Sequence, residues 1–169
     1  MSESTAQHRS QSPKSVRAAV VTVSDTRTLE TDRGGQLVAD LLAAAGHNVT
    51  SREIVPDEPA FIGPLLERLT DPAEVDDVLI TGGTGIASRD KTFETVSGLL
   101  EKVMPGYGEI FRMLSYDDIG PAAMLSRAIG GVRNGVIVLT MLGSVAAVQL
   151  AMEMLIVPEI GHLVYEARK

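Results

Sequence analysis

Two patterns of hydrophobic and polar positions alternate along this chain. Short continuous apolar runs at 18–23, 78–81 and 136–141 predict strands that are buried on both faces, as in a parallel sheet. Between the first two runs, apolar residues recur at helical spacing within 32–45 and stop at Gly46. Because strands alternate with helices, we predict an α/β fold with a largely parallel sheet covered on both faces.

Less regular stretches complete the predicted elements. They are a strand at 48–55, a weak edge strand at 128–132, and helices at 58–69, 91–103, 108–119, 122–127 and 145–157. Proline cannot donate a helical hydrogen bond, so Pro64 predicts a kink or a late start of its helix. Pro158 likewise predicts a break or a restart after residue 157.

The first 15 residues differ in composition from the rest of the chain. They are rich in Ser and Gln and lack apolar periodicity, which predicts a disordered polar tail over residues 1–15. The chain has 169 residues, a length typical of one domain. We therefore predict a single domain over residues 16–169.

The charge balance and the lack of cysteine exclude several classes of protein. There are 15 Lys and Arg against 22 Asp and Glu, and the resulting net charge of −7 speaks against nucleic acid and anionic membranes as partners. Without Cys, thiolate metal sites and disulfides are excluded. No apolar run approaches the ~18 residues of a membrane span, and the polar N-terminus lacks the apolar core of a signal peptide. We therefore expect a soluble, cytoplasmic protein.

Candidate chemistry lies in three loops that follow predicted strands. They read Thr22-Val23-Ser24-Asp25, Thr81-Gly82-Gly83-Thr84-Gly85 and Met141-Leu142-Gly143-Ser144. Ligands of open α/β sheets bind at the carboxyl ends of strands. Small residues with free N–H groups near helix N-termini suit an anionic or phosphorylated ligand.

The second loop departs from two standard phosphate-binding motifs. Counted from Gly85, the spacing is that of a P-loop, but Asp90 occupies the position of the second glycine. Counted from Gly83, the Rossmann pattern ends in Ser88, where glycine or alanine is required. The loop is therefore either a phosphate cradle of another kind or a tight turn between a strand and a helix.

Two aspartates have open interpretations. Asp90 lies between Arg89 and Lys91, either as part of a solvated charge run or as a carboxylate that holds Mg²⁺ beside cations that neutralise phosphates. Asp57 precedes Glu58 and is, taken by itself, best explained as the N-cap of the helix that follows.

Two further pairs are equally open. Glu109 and Arg112 are either a surface i,i+3 pair or groups that orient a polar ligand. Ser126-Arg127 has the same two interpretations, with Arg127 as a possible phosphate fork. The three histidines are scattered along the chain, so a zinc hydrolase is not expected.

Taken together, these segments resemble a known family. Thr81-Gly82-Gly83-Thr84-Gly85, Pro105-Gly106-Tyr107-Gly108-Glu109 with Arg112, and Ser126-Arg127-Ala128 occur in that order. With the loop at 22–25, they resemble the MoaB/Mog family of molybdenum cofactor biosynthesis proteins, over about residues 16–159, and the size is similar to that of stand-alone MoaB proteins. The resemblance implies a three-layer MoaB/Mog-like fold with a mostly parallel central sheet flanked by helices. It also implies a cytoplasmic, molybdopterin-binding domain that assembles as a trimer or hexamer.

The resemblance further implies a reaction, the Mg²⁺-dependent adenylylation of molybdopterin by ATP, which gives adenylyl-molybdopterin and pyrophosphate. It assigns catalysis and Mg²⁺ ligation to Asp57 and Asp90. The residues that it implies for binding the substrates are Thr22, Ser24, Asp25, Thr81, Gly82, Gly83, Thr84, Gly85, Gly106, Glu109, Arg112, Ser126, Arg127, Gly143 and Ser144.

One segment departs from the family pattern. The family usually carries a Pro-Gly-Ser-Pro-like loop after the last core strand, whereas this chain reads Leu142-Gly143-Ser144-Val145. Two missing prolines remove two fixed φ angles and are expected to loosen the loop. The alternative function is therefore a catalytically weak or inactive MoaB-like protein that binds pterin or regulates through protein partners. A downstream molybdenum-insertion protein is the partner that the resemblance suggests.

Overall fold

A computed structural model describes residues 11–169, and its centre is one six-stranded sheet. The strands are β1 (Arg17–Val23), β2 (Asn48–Val55), β3 (Asp77–Thr81), β4 (Lys102–Val103), β5 (Gly130–Arg133) and β6 (Val136–Met141). Their order is β2-β1-β3-β6-β5-β4. The strands from β2 to β6 in this order are parallel, and β5 and β4 continue the sheet in antiparallel pairs.

Within residues 11–169 there are six α-helices, of which four connect successive strands and two follow β6. They are α1 (Arg33–Ala44), α2 (Pro59–Leu69), α3 (Thr92–Leu99), α4 (Pro105–Ile119), α5 (Val145–Ala151) and α6 (Val157–Ala167). A 3₁₀ segment (Gly120–Leu125) follows α4, and a π-helical segment (Met152–Ile156) joins α5 to α6.

The sheet is buried on both faces, and each face has its own hydrophobic core. One core joins strand residues to α1, α5 and α6 through Val20, Leu79, Leu139, Val38, Val148 and Ile160. The other joins strands to α2 and α3 through Val21, Val78, Val138, Ile62, Leu66 and Val96. The predicted three-layer α/β fold with a mostly parallel sheet is therefore confirmed.

The antiparallel half of the sheet differs from the sequence prediction. The helix predicted at 91–103 ends at Leu99, and the chain then forms β4, which pairs with β5. The strand predicted as a weak edge is β5, which lies inside the sheet between β6 and β4. Gly131 permits this pairing, since a Cβ atom there would collide with the carbonyl of Lys102.

The two prolines have different outcomes. Helix α2 begins at Pro59 and contains Pro64, so its start is not late. The final helical segment is continuous from Val145 to Ala167, and its last α-helix restarts at Val157 beside Pro158, as predicted. Just before Pro158 it widens to a π turn, in which the N–H of Val157 donates to the carbonyl of Met152. The π turn thus lies directly before Pro158, which has no N–H to donate.

This last helix also qualifies an expectation about membranes. Its 23 residues, Val145–Ala167, are long and apolar enough by length and composition to cross a membrane. Its inward side chains, however, form part of the core described above, including Met152, Ile156 and Val164. We therefore interpret it as a core helix.

The predicted tail lies partly outside the described residues, since 1–10 fall before them. Residues 11–15 contact the domain. The Ser15 hydroxyl donates to the carbonyl of Gly46 over 2.8 Å, and the Pro13 carbonyl lies against Gly161 of α6.

Candidate functional site

The three strand-end loops predicted to carry chemistry meet at one edge of the sheet. Strands β1, β3 and β6 are parallel neighbours, so their carboxyl ends point the same way. The N–H of Gly82 donates to the carbonyl of Met141 over 3.0 Å. Gly82 has a φ of +98°, and a Cβ atom there would collide with the carbonyl of Val23. A Cβ atom at Gly143 would lie 3.3 Å from the Cα of Gly82. Glycine is thus required for the loops to come this close.

Asp57 joins this edge from the end of β2. Its Oδ1 accepts hydrogen bonds from the N–H of Lys91 over 3.1 Å and from the hydroxyl of Thr92 over 3.0 Å. Its own N–H donates to Asp25 Oδ1 over 3.3 Å. The side chain therefore binds the N-terminus of α3, and the N-cap of α2 is Glu58 instead. The N-cap interpretation of Asp57 is corrected, because its partner helix lies 34 residues further along the chain.

The electrostatics of Asp57 depend on Asp90. Burial is the main cause that raises the pKa of Asp57, and the charge of Asp90 raises it further, against hydrogen bonds from Lys91 and Thr92 that lower it. Asp90 is held within its own loop, where Oδ2 accepts from the N–H of Ala87 over 2.9 Å. Two carboxylates that repel each other are stabilised by a cation between them.

The donor set suits Mg²⁺ as part of a substrate complex. Carboxylate oxygens are the ligands that Mg²⁺ prefers, and it usually binds one or two of them together with substrate phosphates and water. Within residues 11–169, no group of three or more His, Asp or Glu is gathered to hold a metal. Asp57 and Asp90 therefore fit a Mg²⁺ that arrives with a nucleotide, and do not form an all-protein cage.

The basic residues near the loops have different roles from one another. Arg89 forms an ion pair with Asp25. Arg127 donates through Nε to the carbonyl of Gly85 over 2.7 Å and through Nη2 to the carbonyl of Asp90 over 3.2 Å. Lys91 is exposed at the start of α3. Arg89 and Arg127 thus bind protein groups, and Lys91 is left as the candidate among these three for contact with a phosphate.

Glu109 and Arg112 lie in an adjoining cleft of about 380 Å³, which Ser126 and Arg127 also line. Arg112 Nη1 donates to the carbonyl of Ser126 over 3.4 Å. Arg112 is thus linked through Ser126-Arg127 to the loop Thr81–Gly85, which we call the glycine loop, because the N–H of Arg127 donates to the carbonyl of Thr84 over 3.1 Å.

The two glycines at the start of α4 differ in their surroundings. A Cβ atom at Gly106 would meet no atom of the described chain within 4 Å, so contact of Gly106 with a ligand stays a prediction. At Gly108 it would collide with the carbonyl of Ala128. Gly108 is therefore the glycine that lets α4 approach the site, and it was not among the predicted site residues.

Polar contacts hold the loop that lacks the two prolines. Thr81 Oγ1 donates to the carbonyl of Leu142 over 3.3 Å, and Arg27 Nη2 donates to the carbonyl of Gly143 over 3.2 Å. Ser144 is the N-cap of α5, and its hydroxyl accepts from the N–H of Ala147 over 3.3 Å. These bonds restrict the loop in place of proline rings.

Sequence reasoning missed a buried carboxylate under this site. Asp32 is the N-cap of α1, and its Oδ1 accepts from the N–H of Gly35 over 3.0 Å. Its Oδ2 accepts from the hydroxyl of Thr22 over 2.7 Å. Asp32 Oδ1 also lies 3.7 Å from Arg27 Nη1, and Asp32 Oδ2 lies 3.3 Å from Arg52 Nη2. An acidic residue at the start of the predicted helix, two residues before Gly34-Gly35, was the available signal.

The Thr22 side chain consequently faces the protein, whereas the Ser24 hydroxyl binds backbone groups of its own loop. Thr22 is 1% exposed, and its hydroxyl donates to Asp32. Ser24 Oγ accepts from the N–H groups of Thr26 over 3.3 Å and of Arg27 over 3.2 Å. Both residues shape the loop after β1, so their contact with a ligand stays a prediction.

The chain matches a known protein family over most of its length. Residues 19–162 match the family described as "Probable molybdopterin binding domain". Molybdenum cofactor biosynthesis protein B of Halalkalibacterium halodurans is 52% identical over 164 residues, which cover 96% of this chain and 96% of that protein. The protein of the same name from Bacillus subtilis is 50% identical over 165 residues, with coverage of 96% and 96%.

Solved structures agree with these relatives. A crystal structure of Molybdenum cofactor biosynthesis protein B has a TM-score of 0.89 and 53% identity, covering 94% of this chain and 99% of its own. The tungsten cofactor synthesizing protein MoaB from Pyrococcus furiosus has a TM-score of 0.83 and 34% identity, covering 93% and 99%.

Proposed function

We infer the function from the family: this chain belongs to the MoaB/Mog family of molybdenum cofactor biosynthesis proteins, and we propose that it adenylylates molybdopterin. The family resemblance predicted from the sequence is confirmed. In the proposed reaction, an oxygen of molybdopterin forms a bond to the α-phosphorus of ATP, and the bond from that phosphorus to the β,γ-diphosphate breaks. The products are adenylyl-molybdopterin and pyrophosphate.

The observation that carries the proposal is the pair of carboxylates beside the glycine loop. Burial, and to a smaller extent the charge of Asp90, raises the pKa of Asp57, and a Cβ atom at Gly83 would lie 2.6 Å from Asp57 Oδ2. Asp57 and Asp90 would hold the Mg²⁺ that enters with ATP, which when bound supplies charge neutralisation for the phosphates. The glycines let a phosphate approach the backbone without a Cβ atom in its way.

The remaining residues of the site bind and orient. The Lys91 side chain, exposed at the start of α3, is placed to neutralise phosphate charge. Ser126 and Ser144 line a second small cleft with apolar walls, which suits the flat face of a pterin with hydroxyls at its edge. Nucleotidyl transfer depends mainly on such positioning and charge stabilisation, so a chain without Cys can perform it.

Replacement of one carboxylate tests the proposal. We expect Asp90→Asn to lower kcat for pyrophosphate release by ~10²-fold or more, because a charged ligand of the metal is lost. Asp40→Asn is the matched control, since Asp40 is an exposed carboxylate on α1. Full activity of Asp90→Asn beside an active control would show that this carboxylate has no catalytic role.

A second candidate function rests on the loop at 142–145, which lacks both family-like prolines. In this case the chain would bind pterin without efficient turnover and act through a partner, such as a downstream molybdenum-insertion protein. Stoichiometric capture of a partner by both the wild type and the Asp57→Asn, Asp90→Asn double variant would favour this function. Turnover by the wild type would favour the enzyme.

We also propose that the chain assembles as a trimer or hexamer and works in the cytoplasm. One side of α4 and the 3₁₀ segment exposes large apolar side chains, namely Ile110, Met113, Tyr116, Ile119 and Met124. Large exposed apolar surfaces mark interaction sites in soluble proteins. We call these five residues the α4 face and expect a second copy to cover it.

A further inference from the structure

We propose that Arg127 is a positioning residue that fixes Asp90 opposite Asp57, rather than a ligand of phosphate. The effect on turnover rests on the proposed adenylylation, whereas the effect on the loop does not. The inference concerns the segment 85–90, which carries Asp90 and connects the glycine loop to α3.

The segment cannot hold its own position through hydrophobic packing. Residues 86–89 are all exposed, and the Ile86 side chain is 68% exposed. Within the segment, Asp90 accepts from and donates to the backbone of Ala87, both over 2.9 Å. These bonds fix the Asp90 carboxylate relative to its own turn. The place of that turn on the domain must come from contacts with other segments.

Arg127 supplies those contacts at both ends of the turn. Its Nε donates to the carbonyl of Gly85 over 2.7 Å, and its Nη2 donates to the carbonyl of Asp90 over 3.2 Å. Its own N–H donates to the carbonyl of Thr84 over 3.1 Å. A planar guanidinium with several fixed donors can span two carbonyls at once, which a lysine ammonium on a flexible stem does poorly.

The base of this clamp is rigid. Arg127 lies between Ser126 and Ala128, whose exposed fractions are 5% and 4%. The next residue, Ile129, exchanges backbone and side-chain hydrogen bonds with Thr140 of β6. Arg127 therefore connects the turn to the central sheet through the buried segment that follows it.

The charge of Arg127 is also paired within the protein. Its Nη1 pairs with the carboxylate of Glu94, and its guanidinium carbon lies 5.2 Å from the centre of the Phe93 ring. With Nε and both terminal nitrogens bound to protein groups, the guanidinium serves α3 and the turn rather than a phosphate. A second tether, the Arg89 pair with Asp25, is weaker because the Arg89 side chain is 67% exposed.

The test compares Arg127→Lys with the control Glu94→Gln in the full chain. Glu94→Gln removes the ion pair but leaves the two carbonyl bonds. Without any ligand, we expect amide hydrogens of residues 86–91 to exchange ~10-fold faster in Arg127→Lys and near the wild-type rate in Glu94→Gln. Unchanged protection of β1 amides in both variants verifies that the fold is intact.

The kinetic arm separates positioning from phosphate binding. We expect Arg127→Lys to lower kcat by ~10²-fold while KM for ATP changes less than about threefold, since a small misplacement affects the transition state more than binding. A raised KM for ATP with kcat preserved would make Arg127 a phosphate ligand and overturn the inference, as would unchanged exchange at 86–91. If the wild type itself forms no adenylylated pterin, the proposed function fails, and the exchange result alone decides whether the clamp exists.

Discussion

At the residue scale, the aspartates at the two ends of the parallel strands differ in their surroundings. At the carboxyl ends, Asp57 is partly buried and accepts hydrogen bonds. At the amino ends, Asp77 is fully buried, and neither of its carboxylate oxygens meets a hydrogen-bond partner in the described chain. Its neighbour Asp76 binds Arg17 and Arg168 instead. Burial, reinforced by the charge of Asp76, raises the pKa of Asp77 well above 3.8. Ionisation of Asp77 thus costs stability, whereas the charged carboxylate of Asp57 accepts hydrogen bonds from Lys91 and Thr92.

This contrast predicts that Asp77→Asn stabilises the protein at neutral pH. The raised folded-state pKa means that stability from the protonated carboxyl is present below the unfolded pKa and is lost as pH rises through the folded pKa. Asparagine resembles the protonated form, so the gain in unfolding free energy should be near zero at pH 4 and reach about 1–3 kcal/mol above the folded pKa. Urea unfolding from pH 4 to pH 8 measures it, with Asp40→Asn as the exposed control. Parallel pH profiles for the wild type and Asp77→Asn would refute the assignment.

At the element scale, local pattern predicts the elements whose cores are continuous in sequence. Strands β2 and β6 have the predicted bounds, 48–55 and 136–141. The prediction for the antiparallel half of the sheet was wrong, because β4 is only two residues long and depends on its pairing with β5. The same limit applies to the site: the three strand-end loops follow from topology, but the contact of Asp57 with α3 joins residues 34 apart, and no local pattern encodes it.

Two Gly→Ala substitutions, one in β5 and one in α3, should have opposite effects on the free energy of unfolding. Gly131→Ala should lower the free energy of unfolding by about 1–3 kcal/mol, because its Cβ atom would collide with the carbonyl of Lys102. Gly98→Ala, inside α3 with no atom within 4 Å of its Cβ position, should raise that free energy by about 0.5–1 kcal/mol. Denaturant titration of both variants checks the pair. Equal effects of the same sign would contradict the packing described for β5.

At the scale of the whole molecule, polar chemistry and apolar surface lie side by side. The chain has a net charge of −7, yet the α4 face combines five exposed apolar side chains. The cleft that holds Glu109 and Arg112 shares Met124 with a wider groove lined by Met113 and Tyr116. Covering the α4 face in an assembly would therefore also shield the outer wall of the candidate site.

A charge on the α4 face should prevent assembly. Met113→Glu would place a carboxylate in the proposed interface, at a cost of about 3 kcal/mol or more if it stays unpaired. Light scattering should then find a monomer, where we expect a trimer or hexamer for the wild type, with an unchanged circular dichroism spectrum. Met154→Glu is the control, because Met154 is also exposed, at 56%, but belongs to the π-helical segment. A wild-type mass for Met113→Glu would assign the interface to another surface.

The most direct test of the proposed adenylylation traces labelled phosphate from ATP into the products. The full chain is incubated with molybdopterin, Mg²⁺ and ATP labelled at either the α- or the γ-phosphate, beside an active homologue as positive control. The account predicts that α-label appears in the pterin product and γ-label appears only in pyrophosphate. Pterin that carries no label while the control reaction succeeds would contradict the adenylylation and leave the chain as a pterin-binding protein that acts through partners.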